Sequence, residues 1–113
     1  MARSPTVVIS FKDMPAHEEL REVLEAGIQH LADEFPETTR FELTLSPDGV
    51  GHTAHAHVAG RGTQVAAHTE AIEVGAAAHR LLDTLERLLR KVHDKHVFKE
   101  RKRAAKRTPK RRT

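Results

Sequence analysis

Thr6 to Phe11 is an apolar, β-branched run bounded by Pro5 and the Lys12-Asp13 pair, which predicts a short strand. Behind it the period changes. Leu20, Val23, Leu24, Ile28, Leu31 and Phe35 recur at three- and four-residue spacing, the stripe of an amphipathic helix that opens at Pro15 and stops at Phe35-Pro36. Glu18, Glu19, Glu22 and Glu25 fall mainly off the stripe, near the end where the helix dipole favours negative charge. Gly27 lies inside this helix, where glycine costs about 1 kcal/mol relative to alanine, and the expected compensation is close approach of a second helix. Phe41, Leu43 and Leu45 then alternate with Arg40, Glu42 and Thr44, a strand with one wet face. Ser46-Pro47-Asp48-Gly49 carries turn chemistry.

Next, Ala54, Ala56 and Val58 alternate with Thr53, His55 and His57, and beyond Gly60-Arg61-Gly62 the residues Thr63, Val65 and Ala67 alternate with Gln64, Ala66 and His68. A two-residue Gly60-Arg61 turn sets Val58 opposite Thr63 and His57 opposite Gln64, a register in which apolar faces match. From about Ile72 the helical period returns. Ala78, Leu81, Leu82, Leu85, Leu88, Leu89 and Val92 form a broad stripe reaching about Val97 or Phe98, and Ala76, Ala77 and Ala78 are small enough to meet Gly27. Lys99 to Thr113 holds nine basic residues and one acidic one with almost nothing apolar, which predicts a disordered tail. The fold class expected is α+β in the order β-α-β-β-β-α: a four-stranded sheet with two helices packed on one face, spanning residues 1–98, and a basic tail over 99–113.

Charge sharpens this picture. The 113 residues suit one domain and carry a formal charge of +3, but residues 1–78 hold five basic and twelve acidic side chains, whereas 79–113 hold fourteen basic and four acidic ones. An acidic body with a basic limb points at a polyanion. Cysteine is absent, which excludes disulfides, thiolate metal sites and a cysteine nucleophile. No apolar run approaches the roughly 18 residues of a membrane span, and the first residues turn polar too soon for a secretory signal, so a cytoplasmic protein without a membrane partner is expected. There is no glycine-rich phosphate loop, no Gly-x-Ser-x-Gly and no His-Glu-x-x-His. The expectation is no enzyme, no cofactor and no small-molecule substrate.

Arg80, Arg87, Arg90, Lys91 and Lys95 lie largely off the leucine stripe and face solvent or a ligand. Asp83–Arg87 and Glu86–Arg90 are i,i+4 pairs worth about 0.2–0.5 kcal/mol each, so part of this charge has a plain surface role. The following segment tips the balance. Lys99, Arg101, Lys102, Arg103, Lys106 and Arg107 add more cations than solubility requires, and Lys/Arg contacts with phosphates release counterions. Nucleic acid is therefore the expected partner. Phe11 and Phe41 fall on the helix-facing side of the sheet, leaving no aromatic platform for bases, and no helix-turn-helix or zinc-finger pattern occurs. Structured RNA held by shape and phosphate contacts fits best. The alternative is a general structured-RNA or DNA binder resembling a double-stranded-RNA-binding domain, whose α-β-β-β-α order is embedded here. That domain places cations at the start of its last helix, where this chain has Glu70 and Glu73. His55, His57 and His68 share the wet sheet face with His52 nearby, but no carboxylate completes a shell, so no metal site is expected.

Together these residues resemble the ribosome hibernation promoting factor and ribosome-associated translation inhibitor family in its short form. Carrying features are Glu19-Leu20-Arg21-Glu22 at the start of the first helix, His57-Val58 in the third strand and Ala76-Ala77 entering the second helix. Leu82-Asp83-Thr84-Leu85-Glu86-Arg87-Leu88-Leu89-Arg90-Lys91-Val92-His93-Asp94-Lys95 carries most of it, and the resemblance spans about residues 6–98. It implies binding to the small ribosomal subunit between head and body, in the path of mRNA and of the tRNA anticodon stems at the A and P sites. Arg80, Arg87, Arg90, Lys91 and Lys95 would then act on rRNA phosphates, inhibition would be steric, and a second hibernation factor is a partner the resemblance allows.

Unperturbed imidazoles gain charge as pH falls through about 6.5. Polyanion binding should therefore tighten between about pH 7.5 and pH 6 at fixed salt, and fluorescence anisotropy with a labelled RNA checks it; a flat profile removes the histidines from recognition.

Overall fold

The computed structural model describes residues 5–107, with side chains through residue 95. Strand β1 (Thr6–Phe11) pairs in parallel with β2 (Thr38–Asp48), and helix α1 (Glu18–Glu34) is the crossover between them. Strands β3 (Gly51–Gly60) and β4 (Thr63–Ala71) follow as antiparallel neighbours, so spatial order equals chain order, and helix α2 (Val74–Arg107) returns across the sheet. The α+β class and the order β-α-β-β-β-α are as the periodicity predicts.

One apolar layer holds the domain. Ile9, Phe41, Leu43, Leu45, Ala54, Ala56, Val58 and Val65 line the inner sheet face, and Leu20, Leu24, Ile28, Leu31 and Phe35 cover them from the α1 side. Ala77, Ala78, Leu81, Leu85 and Leu89 of α2 complete the same cluster. Arg21 pins α1 to β1, its Nη1 donating to the Ile9 carbonyl at 3.2 Å while its guanidinium lies over the Phe11 ring.

Local details differ from the sequence reading, each for a physical reason. Helix α1 starts at Glu18 rather than Pro15, because the His17 Nδ1 accepts from the Leu20 N–H at 3.2 Å and caps it there. Val23 is exposed although it follows the stripe spacing. Gly27 is approached most closely by Leu82: a Cβ there would sit 2.6 Å from Leu82 Cδ1. Strand β2 continues through Pro47 to Asp48, which is tolerated because β1 stops pairing at Leu45 and leaves no neighbour for the missing N–H. In the β3–β4 hairpin the turn residues are Arg61 and Gly62, with Gly62 at φ +69°, so Val58 faces Val65 and His57 faces Ala66. The shift is by two positions, so the buried and wet faces keep their members.

Helix α2 begins at Val74 and its backbone stays helical past Phe98 to Arg107. Lack of apolar residues removes packing, not local propensity, and Lys99, Glu100, Ala104 and Ala105 are good helix formers. The last part of the expected tail, residues 108–113, lies outside the described residues.

Leu85→Ala opens a cavity in the fully buried layer and should cost about 2–5 kcal/mol in urea unfolding. Gly60→Ala should cost about 1–3 kcal/mol, because a Cβ at Gly60 overlaps the Glu37 carbonyl, which also accepts from the Arg61 N–H. An unchanged midpoint for either would contradict this packing.

Candidate nucleic-acid interface

Because Ala78, Leu81, Leu85 and Leu89 face the sheet, the helical repeat turns Arg80, Arg87, Lys91 and Lys95 outward as one ridge. All four are exposed. Arg80 spends one of its N–H groups on the Glu70 carbonyl, at 2.7 Å, tying the start of α2 to β4. Among the described residues Arg87, Lys91 and Lys95 have no ion-pair partner, and the expected Asp83–Arg87 pair does not close. Three cations thus stand free for an external anion.

Arg90 is different. Its Nη2 donates to Glu34 Oε2 at 2.5 Å and to Glu86 Oε2 at 3.0 Å, and its guanidinium lies 5.5 Å from the centre of the Phe35 ring. The hydrogen bond that the guanidinium donates to Glu34, then the one it donates to Glu86, holds it above its usual pKa. One turn on, the His93 ring meets Phe35 edge-on at 5.8 Å, and its Nδ1 is 3.2 Å from Glu37 Oε2. This seam joins α2 to the end of α1, so Arg90 already has two carboxylate partners within the fold. The Glu86–Arg90 pair was legible four residues apart, but Glu34 is 56 residues away and leaves no local signal. Lys99, Arg101, Lys102, Arg103, Lys106 and Arg107 continue on the α2 backbone, and their side chains lie outside the described residues.

Elsewhere the surface is less suited to phosphate. Helix α1 exposes Glu18, Glu19, Glu22, Glu25 and Asp33. On the outer sheet face Arg40 is paired to Glu42 at 2.6 Å, and His55 and His68, directly opposite one another, stack with ring centres 4.4 Å apart. Among the described residues no group of three His, Asp or Glu side chains is placed to hold a metal ion, and no helix is long and apolar enough to cross a membrane.

Over residues 7–97 the sequence matches the family described as sigma 54 modulation protein / S30EA ribosomal protein. The chain belongs to this family. Membership bears out the resemblance carried by the second helix and gives the chain a ribosome-related role. No curated protein matches the sequence. Several solved structures share this fold, two of which follow. A ribosomal subunit interface protein from Coxiella burnetii superposes with a TM-score of 0.73 at 17% identity, covering 79% of this chain and 98% of that one. The N-terminal domain of Protein Y from Thermus thermophilus gives 0.69 at 20% identity, covering 78% and 98%.

The two classes of cation separate by mutation. Arg87→Glu with Lys91→Glu should weaken RNA binding and flatten its salt dependence by about 0.7–0.9 log units per lost phosphate contact. Arg90→Gln should lower the melting temperature while leaving that slope nearly unchanged; equal slopes for both variants would merge Arg90 back into the ridge.

Proposed function

We propose that this S30EA-family chain silences ribosomes by lodging on the small subunit in the mRNA and tRNA path at the A and P sites. The observation that carries the reading is the uncommitted ridge of Arg87, Lys91 and Lys95 on the outward face of α2, in a family of ribosome-associated proteins. Arg80 extends the ridge toward β4, and Lys99, Arg101, Lys102, Arg103, Lys106 and Arg107 extend its charge along the same helix.

The chemistry required is modest. Guanidinium and ammonium groups hold phosphate oxygens, and displaced counterions supply much of the affinity. The domain body then fills space that mRNA and anticodon stems would occupy, so inhibition needs no bond made or broken. The acidic side of α1 is repelled by rRNA, and this orients the domain with α2 inward. Such a protein works in the cytoplasm, as a steric plug by itself or beside a second hibernation factor, without cofactor or small-molecule substrate.

Sedimentation with ribosomes at physiological salt tests the reading. The protein should pellet with small subunits and be released by mRNA with initiator tRNA, whereas a plain RNA duplex should compete poorly. Deleting residues 99–113 should reduce pelleting and flatten its salt dependence. If the intact protein stays in the supernatant, or if mRNA and tRNA leave it bound, the channel assignment fails.

A further inference from the structure

The two most exposed large apolar side chains of the described residues sit at the same end of the sheet. Val50 is 92% exposed and Ile72 69%. Val50 forms, with Gly49, the two-residue turn between β2 and β3, because Asp48 pairs with Gly51. Ile72 is the first residue beyond β4. The two turns abut: a Cβ on Gly51 would lie 2.7 Å from the Ala71 carbonyl oxygen and 3.2 Å from the Ile72 Cα. His52 Nδ1 lies 2.7 Å from the Ile72 carbonyl oxygen, which fixes the corner from which Ile72 projects. Single exposed apolar residues are ordinary. A pair of branched side chains on two adjoining turns is a small apolar patch.

Its border decides the occupant. Asp48 flanks the Val50 turn, and Glu70 and Glu73 flank Ile72. No basic residue lies in 46–51 or in 70–75, and the nearest guanidinium known to reach this corner, Arg80, is turned back onto the Glu70 carbonyl. An acidic rim repels a phosphate backbone and complements lysine or arginine. The cationic stretch of α2 runs away from this end, since α2 begins here at Val74. The two surfaces therefore suit two kinds of neighbour on one particle.

We propose that Val50 and Ile72 form a docking knob that seats in an apolar recess of a basic protein, while the α2 ridge takes RNA. This rests on the ribosome-binding reading above, and the protein partner is then one displayed on the small subunit beside the channel. The knob adds a protein contact to a phosphate-held domain, so affinity survives salt better than the ridge alone allows.

Benzophenone side chains placed at position 72 and, separately, at position 91 test it on intact ribosomes. Position 72 should cross-link to a ribosomal protein and position 91 to rRNA, as identified by mass spectrometry and primer extension. Val50→Ser with Ile72→Ser should weaken ribosome binding about tenfold, with an unchanged melting temperature. Asp48→Lys with Glu73→Lys gives a test of sign: it weakens ribosome binding if the rim meets a basic protein, and tightens it if the neighbour is RNA. Cross-links from position 72 to rRNA, tighter binding on rim reversal, or no effect of the serine pair would overturn the knob while position 91 still reports rRNA. Absence of both cross-links would overturn the ribosome reading and the knob with it.

Discussion

Leu81, Leu85 and Leu89 of α2 are fully buried with Phe41, Leu43, Leu45 and Val58 of the sheet, and burial of such a side chain contributes about 1.5–3 kcal/mol. That contact fixes the rotation of α2 about its own axis. Once those leucines point inward, a 3.6-residue repeat leaves Arg80, Arg87, Lys91 and Lys95 no choice but the outer side. The direction of the charge is therefore a consequence of the core, and no separate device is needed to display it.

The same packing divides the charges by task. Between the helices, Arg90 is held by Glu34 and Glu86 above Phe35, with His93 reaching Glu37 one turn further along. Across the seam the Arg90 guanidinium is thus shared by two carboxylates. Along the outer ridge Arg87, Lys91 and Lys95 are left without partners among the described residues. Helix α1 carries the opposite sign outward, through Glu18, Glu19, Glu22, Glu25 and Asp33. A molecule with this distribution has a preferred orientation toward a polyanion before any contact forms.

The family fold persists at 17% and 20% identity because it depends on where apolar residues recur, not on which ones they are. The inner face of β3 needs only Ala54, Ala56 and Val58, small side chains that let α2 lie close to the sheet. Surface positions are under no such constraint. The Val50–Ile72 corner and the stacked pair His55–His68 are features of this chain's surface that its core does not demand.

Periodicity alone determined the element order, the buried stripe of α2 and the outward side of its cations, because each of these depends on residues close in the chain. It paired Arg90 with Glu86 but not with Glu34, and offered the alanines rather than Leu82 as the neighbour of Gly27, since neither Glu34 nor Leu82 is near enough in sequence to signal the contact. It set the hairpin turn at Gly60-Arg61, and only the structure chose Arg61-Gly62. A shift of two keeps every side chain on its face, so the hydrophobic pattern cannot distinguish the registers; yet this shift is what brings His55 opposite His68. The adjacency of Val50 and Ile72 likewise arose only when four strands aligned their ends. Local pattern governs which way a side chain turns, and tertiary packing governs which distant side chain it meets there.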